Sequence, residues 1–369
     1  MHQRSFLPGD RDFMLRALRL AERGRGSAHP NPLVGAVLVK GGRVIGEGWH
    51  AHAGGEHAEI AAMRSAGEEV EGSTLYVTLE PCNHQGRTPP CTEALLHRGV
   101  RRVVYARRDI NPSVKGGGAA FLREQGVEVS GGLLEDRARE MNRDWEKYVT
   151  TGIPYVTLKV AMTADGRIAA GNGSSRWITG PKARRKVHLM RRSADAVLTG
   201  IGTVLADDPE LTVREVPLGR ARPPLRVVAD SRLRIPLEAK LANGGPPTII
   251  FTTPAHDRRK ADALRERGVE VIEVGSRESR VCLEEALRVL GERGVVDLLV
   301  EAGAGLNAAL MEAGLADRVA IFVAPRVFGG REALPWLGGK GAESPGNART
   351  FRWTKAVRVG EDFLLEGLL

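Results

Sequence analysis

The sequence predicts an α/β protein built from two domains, and three observations support this fold class. The chain has 369 residues, which is long for a single hydrophobic core. Short apolar runs typical of strands alternate with helix-like stretches along both halves, which is the pattern of layered folds with parallel strands. The alternation is interrupted by a charged, turn-rich stretch at 142–152 and restarts at Pro154. We therefore expect one domain over residues 1–148 and a second over residues 149–369.

The first domain begins with an apolar hairpin, because two strand-like runs flank the pair Gly41-Gly42. Helical and strand-like stretches then follow in alternation. Helices between the strands of one sheet imply parallel neighbours, so we expect an α/β sandwich. In order, the predicted elements are the hairpin at 33–49, a helix at 56–66, a strand at 74–80, a helix at 92–99, a strand at 101–106, a helix at 119–126 and a strand at 127–130.

The second domain has the same alternation of strands and helices without repeating the sequence of the first. Its first strand reaches a tight turn at Asp165-Gly166, a sequence typical of hairpins. Its last stretch predicts a closing pair of strands. The strand-like runs lie at 154–162, 195–200, 225–230, 247–253, 269–274, 296–303, 319–325 and 354–369.

The composition excludes several classes of protein. No apolar run approaches the roughly 18 residues needed to span a bilayer, and the first residues lack the apolar core of a signal peptide. Three cysteines are too few for a disulfide framework and favour a reducing compartment, so we expect a cytoplasmic protein. The balance of 54 Lys+Arg against 45 Asp+Glu gives a net charge of +9, which favours anionic partners such as nucleic acid or phosphorylated small molecules.

Three residues of the first half have the types and placement of a catalytic zinc site. His57 begins a helical stretch, Cys82 follows a strand and Cys91 begins another helical stretch. One histidine and two thiolates fill three tetrahedral positions and leave the fourth for water, whose pKa zinc lowers to about 7. Glu59 is suited to carry protons between water, a ring nitrogen and departing ammonia. A closed structural site is the alternative, and it needs a fourth ligand such as His84.

The strings NPLVGAVLV at 31–39, HAE at 57–59 and TLEPCNHQGRTPPC at 78–91 closely resemble the deaminase half of the bifunctional riboflavin-biosynthesis deaminase–reductases. Zinc deaminases often have two residues between their cysteines, whereas eight, with GRTPP among them, are characteristic of this family. The resemblance implies a cytidine-deaminase-like α/β/α sandwich. It also implies deamination of 2,5-diamino-6-(5-phosphoribosylamino)pyrimidin-4(3H)-one to 5-amino-6-(5-phosphoribosylamino)uracil.

The same resemblance implies roles for individual residues of the first domain. The histidine and the two cysteines would hold the zinc ion, and Glu59 would be the proton donor. Asn31 and His50 are candidates for contacts with polar edges of the base, although a turn or an exposed position explains each about equally well. Arg87, between the two cysteines, is a candidate for contact with phosphate or ring.

The second half resembles the reductase half of the same family. LKVAMTADGRIAA at 158–170, SSRWITG at 174–180, LTGIGTVLADDPELTVR at 198–214 and VEAGAGLNAAL at 300–310 occur in the expected order. The resemblance implies a dihydrofolate-reductase-like α/β domain that uses NADPH to reduce the ribosyl side chain of the deaminated product to ribityl. The residues it implies for NADPH are Ala161, Trp177, Thr203, Asp207, Ser231, Gly303, Ala304 and Gly305, and those for substrate are Ser175, Arg191, Leu211, Arg214 and Glu301.

Some of these residues also have a physical reason for their roles. Gly303 and Gly305 lie between a strand and a helical stretch, where bare backbone allows phosphate to approach a helix N-terminus. Such a turn is a weak signal on its own, and tight packing is its alternative explanation. Arg191 and Arg214 suit a phosphate because guanidinium presents several donors in a fixed fork. A solvated helix face is the alternative for Arg191, which has several basic neighbours.

The main hypothesis is therefore a bifunctional enzyme that uses zinc and NADPH and acts on a phosphorylated pyrimidine, without nucleic acid or membrane partners. The family also raises the hypothesis of a homo-oligomer. One alternative is a deaminase of RNA bases with an accessory domain, which the positive charge favours and salt-sensitive RNA binding would reveal. Another is a non-catalytic, zinc-stabilised binding protein. Glu59 argues against it, because a structural site does not need that acid.

Overall fold

The computed structural model describes residues 6–84, 89–112 and 117–369. They form two compact units, the first ending at Gly152 and the second beginning at Ile153. Both units combine a β-sheet with α-helices, which confirms the predicted fold class. None of the described helices is long and apolar enough to cross a membrane.

Among its described residues, the first unit contains five strands: β1 (Gly35–Lys40), β2 (Arg43–Trp49), β3 (Thr74–Leu79), β4 (Arg102–Arg107) and β5 (Glu128–Gly131). They form one sheet in the order β2-β1-β3-β4-β5. Strand β1 pairs antiparallel with β2 and β3, whereas β3, β4 and β5 run parallel. The predicted hairpin turn needs glycine, because Gly41 and Gly42 have φ values of 57° and 76°.

Helices cover both faces of this sheet: α1 (Asp10–Ala21), α2 (Ala58–Ala66), α3 (Cys91–His97), α4 (Gly118–Glu124), α5 (Glu135–Met141) and α6 (Arg143–Thr151). Successive strand residues point to opposite faces, so each face has its own core. Val37 belongs to the core that contains Met14 of α1. Its neighbour Leu38 belongs to the core that contains Ala62 of α2 and Leu122 of α4. The unit is therefore an α/β/α sandwich, as predicted.

The stretch 142–152, expected to be a charged connection, is largely the helix α6. Asp144 and Trp145 are buried in it. Asn142, just before the helix, exchanges two hydrogen bonds with Leu33, donating from Nδ2 at 2.9 Å and accepting at Oδ1 at 2.7 Å. The boundary predicted at Tyr148 consequently falls inside α6. The sequence does not indicate this helix clearly, because its single buried tryptophan is surrounded by charged residues.

Helix α2 lies unusually close to strand β2. A Cβ atom added at Gly46 would collide with the carbonyl oxygen of Ala62, and one at Gly48 would collide with the carbonyl oxygen of Ala58. Glycine at these two positions lets the backbones of helix and strand approach each other. The contact fixes the first turn of α2, which carries the predicted zinc ligand His57 at its N-cap.

The second unit contains a nine-stranded sheet in the order β11-β10-β9-β8-β14-β6-β15-β18-β17. The strands from β11 to β15 in this order run parallel, and the closing pair runs antiparallel to its neighbours. The strands are β6 (Tyr155–Thr163), β8 (Ala196–Gly200), β9 (Leu225–Ala229), β10 (Thr248–Thr252), β11 (Val269–Glu273), β14 (Asp297–Val300), β15 (Arg318–Ala324), β17 (Arg352–Val359) and β18 (Asp362–Leu368).

Two short strand pairs lie outside this sheet: β7 (Arg167–Ala169) with β16 (Leu334–Pro335), and β12 (Ser276–Arg277) with β13 (Arg280–Val281). The predicted turn at Asp165-Gly166 forms, with a 3.0 Å hydrogen bond from Gly166 N to Thr163 O. The strand that follows it pairs with β16, so the hairpin expected from the sequence is not completed with β6.

Five helices of the second unit lie among the described residues: α7 (Pro181–Ser193), α8 (Ile201–Asp207), α9 (Arg258–Glu266), α10 (Leu283–Glu292) and α11 (Ala304–Glu312). Leu298 of β14 packs in the core that contains Leu287 of α10, and Leu299 in the core that contains Leu264 of α9. Helices thus cover both faces of the parallel sheet. In such sheets ligands bind in a crevice at the carboxyl ends of the strands.

Strands β11 and β17 are the two edges of this sheet. Trp353 and Val357 on β17 are 52% and 36% exposed, and Phe363 on β18 is 51% exposed. By the register of the two strands, Trp353 and Phe363 lie on the same face of the sheet and Val357 on the other. Large exposed apolar side chains at a sheet edge are unusual for a surface that faces only water.

Candidate active sites

The three predicted zinc ligands of the first unit meet in one cluster. His57 is the N-cap of α2, Cys82 follows β3 and Cys91 begins α3. His57 Nδ1 lies 3.1 Å from Cys91 Sγ and 3.5 Å from Cys82 Sγ, and the three candidate ligand atoms lie within 4.8 Å of one another. One imidazole nitrogen and two sulfurs at these separations are close enough to bind the same metal ion.

The chemistry of this cluster fits a zinc ion. Hydrogen bonding from Cys91, opposed by burial and assisted by His57, lowers the pKa of the Cys82 thiol, and the backbone N–H of Cys91 donates to Cys82 Sγ at 3.4 Å. Thiolate is the form in which cysteine binds metal. Within the described ranges the cluster has three members and His84 is not one of them. A set of three ligands leaves one tetrahedral position open, which is typical of catalytic sites.

Glu59 lies beside the cluster in the first turn of α2 and is 4% exposed. Burial, together with the charge of Cys82, raises the pKa of Glu59 to about 7. A carboxyl group with such a pKa can both take up and release a proton near neutral pH. The sequence predicts this residue from the HAE string, and the structure places it beside the three candidate ligands.

Asn31 and His50 form a hydrogen-bonded chain next to the same cluster. His50 Nδ1 lies 2.9 Å from the carbonyl oxygen of Glu56, and Asn31 Nδ2 lies 3.0 Å from His50 Nε2. Burial lowers the pKa of His50, so the ring is neutral, donates from Nδ1 and accepts at Nε2. The rings of His50 and His57 are 6.1 Å apart at their centroids. Arg87, the candidate between the cysteines, lies outside the described residues.

The second unit has a cleft of about 1040 Å³ at the carboxyl ends of the parallel strands. It is open to solvent along one side and is lined by both apolar and charged side chains. Every residue predicted for the second site lines it: Ala161, Ser175, Trp177, Arg191, Thr203, Asp207, Leu211, Arg214, Ser231, Glu301, Gly303, Ala304 and Gly305. Residues spread over 145 positions of sequence thus face a single cavity.

Glu301 is the centre of a charged network in this cleft. Lys159 Nζ lies 2.9 Å from its Oε2, and Arg191 donates from Nε to Oε1 at 2.5 Å and from Nη2 to Oε2 at 3.0 Å. Burial alone would raise the pKa of Glu301, but the charges and hydrogen bonds of Arg191 and Lys159 outweigh it and hold that pKa far below its usual range. The carboxylate is therefore ionised throughout the neutral range.

The structure changes the interpretation of Arg191. Its third donor, Nη1, is 2.9 Å from the carbonyl oxygen of Thr212, so the guanidinium is largely occupied by protein groups. Arg191 is neither on a solvated helix face nor free to grip a phosphate with its whole fork. Arg214 is exposed, bonds Glu210 at 2.6 Å through Nη1, and keeps donors available for a ligand. The periodicity of α7 could not reveal that Arg191 is occupied while Arg214 is available, because the state of Arg191 depends on Glu301, 110 residues away.

Other cleft residues are positioned by short-range contacts. Ser175 donates to Asp207 Oδ1 at 2.7 Å. The ring of Trp177 is 61% exposed and has the guanidinium of Arg184 at 4.7 Å from its centroid. Leu211 is buried with φ at 53°, so the chain turns sharply there and its backbone faces the cleft. Gly303 is the N-cap of α11.

Sequence reasoning missed several residues of the cleft. His188 lies one helical turn before Arg191 on α7, and its Nδ1 accepts the backbone N–H of Arg214 at 3.2 Å. The spacing of Arg184, His188 and Arg191 places all three on one helix face, which is the signal that could have identified them. Arg234 and Arg280 also line the cleft, and no sequence motif marks them.

The fold and the two candidate sites are those of a class of two-domain enzymes that join a zinc-binding deaminase region to a reductase domain. Residues 8–107 match the cytidine and deoxycytidylate deaminase zinc-binding region, and residues 154–365 match the RibD C-terminal domain. Each match falls within one of the two compact units.

Comparison with individual proteins identifies the family. The chain is 43% identical to the riboflavin biosynthesis protein RibD of Aquifex aeolicus, covering 96% of this chain and 97% of that protein, and 40% identical to that of Escherichia coli, covering 96% and 98%. Among solved structures it resembles RibD of Acinetobacter baumannii, with 40% identity, a TM-score of 0.87 and coverage of 97% and 98%. A deaminase/reductase of Thermotoga maritima gives 38% identity, a TM-score of 0.84 and the same coverage. The chain belongs to the RibD family of riboflavin biosynthesis proteins.

Proposed function

We propose that the chain catalyses two successive reactions of riboflavin biosynthesis. The first unit would hydrolyse 2,5-diamino-6-(5-phosphoribosylamino)pyrimidin-4(3H)-one to 5-amino-6-(5-phosphoribosylamino)uracil and ammonia. The second would reduce the ribosyl side chain of that product to ribityl with NADPH. The observation that carries the proposal is the meeting of His57, Cys82 and Cys91 beside buried Glu59, in a chain of this family.

In the first reaction His57, Cys82 and Cys91 would hold zinc and leave one position open. When bound, zinc lowers the pKa of a water molecule to about 7. Glu59 would take one proton from that water and deliver it to the ring nitrogen, and would then carry the second proton of the same oxygen to the departing amino group, which leaves as ammonia. Its burial beside the ligands and its pKa near neutrality support this role, because the same carboxyl must accept and donate within one turnover.

Asn31 and His50 would recognise the pyrimidine next to the zinc ligands. The bond from His50 Nδ1 to the carbonyl oxygen of Glu56 fixes the ring orientation, and Asn31 is held through His50 Nε2. A fixed amide at this place can discriminate between donor and acceptor edges of a base, because a mismatched edge would leave a buried polar group unpaired. Neutral His50 also avoids placing a second positive charge beside the metal.

In the second reaction NADPH would lie across the cleft of the second unit. When bound, NADPH supplies the hydride. Ala161, Trp177, Thr203 and Asp207 would contact it, and the backbone around the N-terminus of α11 would face its phosphates. Gly303, Ala304 and Gly305 present no side chain larger than a methyl group there, which supports close approach of an anion.

The substrate of the second reaction would lie at the end of the cleft that contains Glu301. Ser175, Arg214 and the backbone of Leu211 would contact it together with Glu301, and Lys159 is positioned to join them. Arg191 would act mainly by holding Glu301 and the carbonyl of Thr212. Arg214, which keeps free donors, is better placed than Arg191 to bind the substrate phosphate.

Homo-oligomer formation and a cytoplasmic location complete the proposal. The exposed Trp353 on the edge strand β17 and Phe363 on its neighbour β18 lie on one face of the sheet and support association with a second copy. The free thiols of Cys82 and Cys91 must stay reduced to bind metal, which supports a reducing compartment. We expect a small phosphorylated pyrimidine, not nucleic acid or membrane, to be the partner, and no relative above favours the RNA-deaminase or non-catalytic hypotheses.

The direct test is a mass-resolved assay of zinc-loaded protein with the diaminopyrimidinone substrate, with and without NADPH. Without NADPH the product should be about one mass unit heavier than the substrate, because an amino group is exchanged for oxygen. With NADPH a further gain of about two units should follow. Only the first shift would limit the proposal to the zinc site. Absence of both, in protein shown to contain zinc, would refute the substrate assignment.

A further inference from the structure

One end of the cleft in the second unit carries positive charge that the proposed reaction does not use. Ser231, Arg234 and Arg280 line this end. Ser231 and Arg234 follow strand β9, and Arg280 belongs to the short strand β13. Among the described residues, the side chains of these two arginines form neither a hydrogen bond nor an ion pair.

The turn after β9 forces Arg234 into the cleft. Asp230, fully buried, accepts the backbone N–H of Ile235 at 2.8 Å through Oδ2 and so closes the turn. Leu233 and Ile235 on either side of Arg234 are buried in the core, at 1% and 0% exposure. With both neighbours pointing inward, the side chain of Arg234 must point outward, where it faces the cavity.

The β12–β13 hairpin places Arg280 next to Ser231. The backbone N–H of Val281 donates to Ser231 Oγ at 3.0 Å, so the residue just before Val281 lies beside that hydroxyl. Because Ser231 Oγ accepts this bond, its own hydrogen remains free to be donated. Arg277 pairs with Arg280 across the hairpin but bonds Glu284 at 3.0 Å and does not line the cleft.

The balance of charge shows that these arginines are in excess. Eight lysines and arginines and five acidic residues line the cleft. Three of the acids have a lysine or arginine partner within 4.0 Å: Glu301 with Lys159 and Arg191, Glu210 with Arg214, and Asp208 with Lys240. Glu215 lies 4.0 Å from His188, whose neutral form the fold favours, and Asp207 accepts the Ser175 hydroxyl. In the described part of the chain, none of these five carboxylates forms an ion pair with Arg234 or Arg280.

We propose that Ser231, Arg234 and Arg280 bind a phosphate monoester, the 2′-phosphate on the adenosine ribose of NADPH, and thereby select NADPH over NADH. One hydroxyl donor and two guanidinium groups match the three terminal oxygens of such a phosphate. The inference rests on the proposed reductase function and deepens it, because it assigns residues to the choice of cofactor.

The other phosphate in the reaction, that of the substrate, belongs at the opposite end. Lys159 and Glu301 lie on or just after β6 and β14, whereas Ser231 follows β9. In the sheet order β9-β8-β14-β6, strands β9 and β6 are three spacings apart, about 14 Å. A dinucleotide whose nicotinamide meets the substrate near Glu301 and whose pyrophosphate passes Gly303 would reach Ser231 with its adenosine half.

The test is the binding of two cofactor fragments, 2′,5′-ADP and 5′-AMP, by titration calorimetry, which requires neither substrate nor turnover. Wild-type protein should prefer 2′,5′-ADP. Arg280→Ala and Arg234→Ala should each weaken 2′,5′-ADP binding about ten- to hundredfold while changing 5′-AMP binding far less, because each removes a charge-assisted contact to the additional phosphate. The double variant should bind both fragments with similar affinity.

Two matched controls are available in the same elements. Arg277→Ala removes an arginine from the same hairpin, and Arg232→Ala removes one from the same turn; neither residue lines the cleft. Both controls should retain the preference for 2′,5′-ADP. If they lose it equally, general surface charge is responsible and the proposed pocket is wrong.

Steady-state kinetics test this inference separately from the proposed function. In Arg280→Ala, the ratio of kcat/KM with NADPH to kcat/KM with NADH should fall, while KM for 5-amino-6-(5-phosphoribosylamino)uracil should stay near the wild-type value. A raised KM for that substrate with an unchanged cofactor ratio would assign the arginines to the substrate phosphate and overturn the inference. Loss of reduction with either cofactor in the wild-type protein would instead refute the reductase function itself.

Discussion

Glu59 differs from an ordinary surface carboxylate in two ways, because it is buried and it adjoins the candidate metal ligands. Burial raises its pKa to about 7. Hydrogen-bond geometry alone does not establish that a group transfers protons, since a neutral amide of the same shape keeps most contacts. Substitution by glutamine therefore separates proton transfer from packing.

We expect Glu59→Gln to retain zinc and to lower the kcat of deamination about 100- to 10,000-fold, because the amide cannot shuttle protons. Ammonia release and bound zinc should be measured on the same preparation. Glu56→Gln is the matched control, since Glu56 is an exposed partner of Arg64 and should retain activity. Unchanged turnover in Glu59→Gln would remove this residue from the mechanism.

His188 is a second residue whose protonation state matters. Its Nδ1 accepts the backbone N–H of Arg214, and four charged groups act on the ring: Arg191, Arg214, Glu215 and Glu301. Burial, assisted by the charges of Arg191 and Arg214, lowers the pKa of His188 below its ordinary 6.5. The folded protein thus favours the neutral ring, and the unfolded chain binds more protons. The stabilising contribution is complete above about pH 6.5 and is lost as the pH falls.

Below its lowered pKa, His188 gains a proton on Nδ1 and can no longer accept from Arg214, so we expect KM for the reductase substrate to rise as the pH falls. His188→Asn places an amide oxygen near the Nδ1 position and should retain a low KM that depends less on pH. His188→Gln places its amide near the Nε2 position, and KM should rise about two- to tenfold at all pH values. The substrate phosphate titrates in all three proteins, so only the difference between their pH profiles is diagnostic. Identical profiles would show that His188 does not position this segment.

At the scale of elements, the contact between β2 and α2 determines where the first site is built. The two strand glycines let the helix backbone approach the sheet, and His57 and Glu59 begin that helix. A side chain in this contact would push the helix away from the two cysteines, which lie on other elements. The geometry of the metal site therefore depends on residues that never touch the metal.

We expect Gly48→Ala to destabilise the protein by about 1–3 kcal/mol, because the new Cβ would collide with the carbonyl oxygen of Ala58. Zinc affinity should also fall, as measured by competition with a chelator alongside thermal unfolding. Gly346→Ala is the control, since a Cβ there would meet only Ser344 Oγ at 3.9 Å. A lower unfolding temperature with full zinc affinity would mean that this contact supports the sheet but does not position the ligands.

The strands of both sheets could be predicted from sequence because they are continuous apolar runs, and the turn at Gly41-Gly42 because glycine pairs favour it. The helix α1 was not predicted, since its buried face of Met14, Ala17 and Leu18 is interrupted by arginines. The cluster of His57, Cys82 and Cys91 could be predicted because the strings around these residues are distinctive, and their role as zinc ligands stays a prediction. The partners of Arg191 could not, because its ion pair with Glu301 depends on how α7 packs over β14, which local sequence does not encode.

For the molecule as a whole, each unit contains its own hydrophobic cores and its own candidate site. A substitution that removes a catalytic group from one unit should therefore leave the other unit folded. Whether each unit can catalyse its reaction without the other site is a separate question from whether joining the two units in one chain speeds the overall route. The first question can be tested with single substitutions in the full chain.

Cys82→Ala should abolish deamination, because the metal loses one of three ligands, and leave reduction of 5-amino-6-(5-phosphoribosylamino)uracil within about twofold of wild type. Cys282→Ala is the matched control, since that thiol lies at the N-cap of α10 in the other unit, contacts only Glu284 by hydrogen bond among the described residues, and lies outside both sites, so both activities should persist. Each half-reaction should be assayed separately, by ammonia release and by NADPH absorbance. Loss of both in Cys82→Ala would show that the units depend on each other for stability.

The cysteine cluster has a consequence for how the protein responds to oxidative stress. Two of the three thiols in the chain lie in the cluster, within 4.8 Å of each other's sulfur, and the third stands alone in the other unit. Thiolates released from metal are the groups that peroxide attacks first. Oxidant should therefore inactivate the ammonia-releasing step before the reducing step, which peroxide titration of the two half-reactions would show. With the two reactions in the proposed order, oxidation would thus block the route before the step that consumes NADPH.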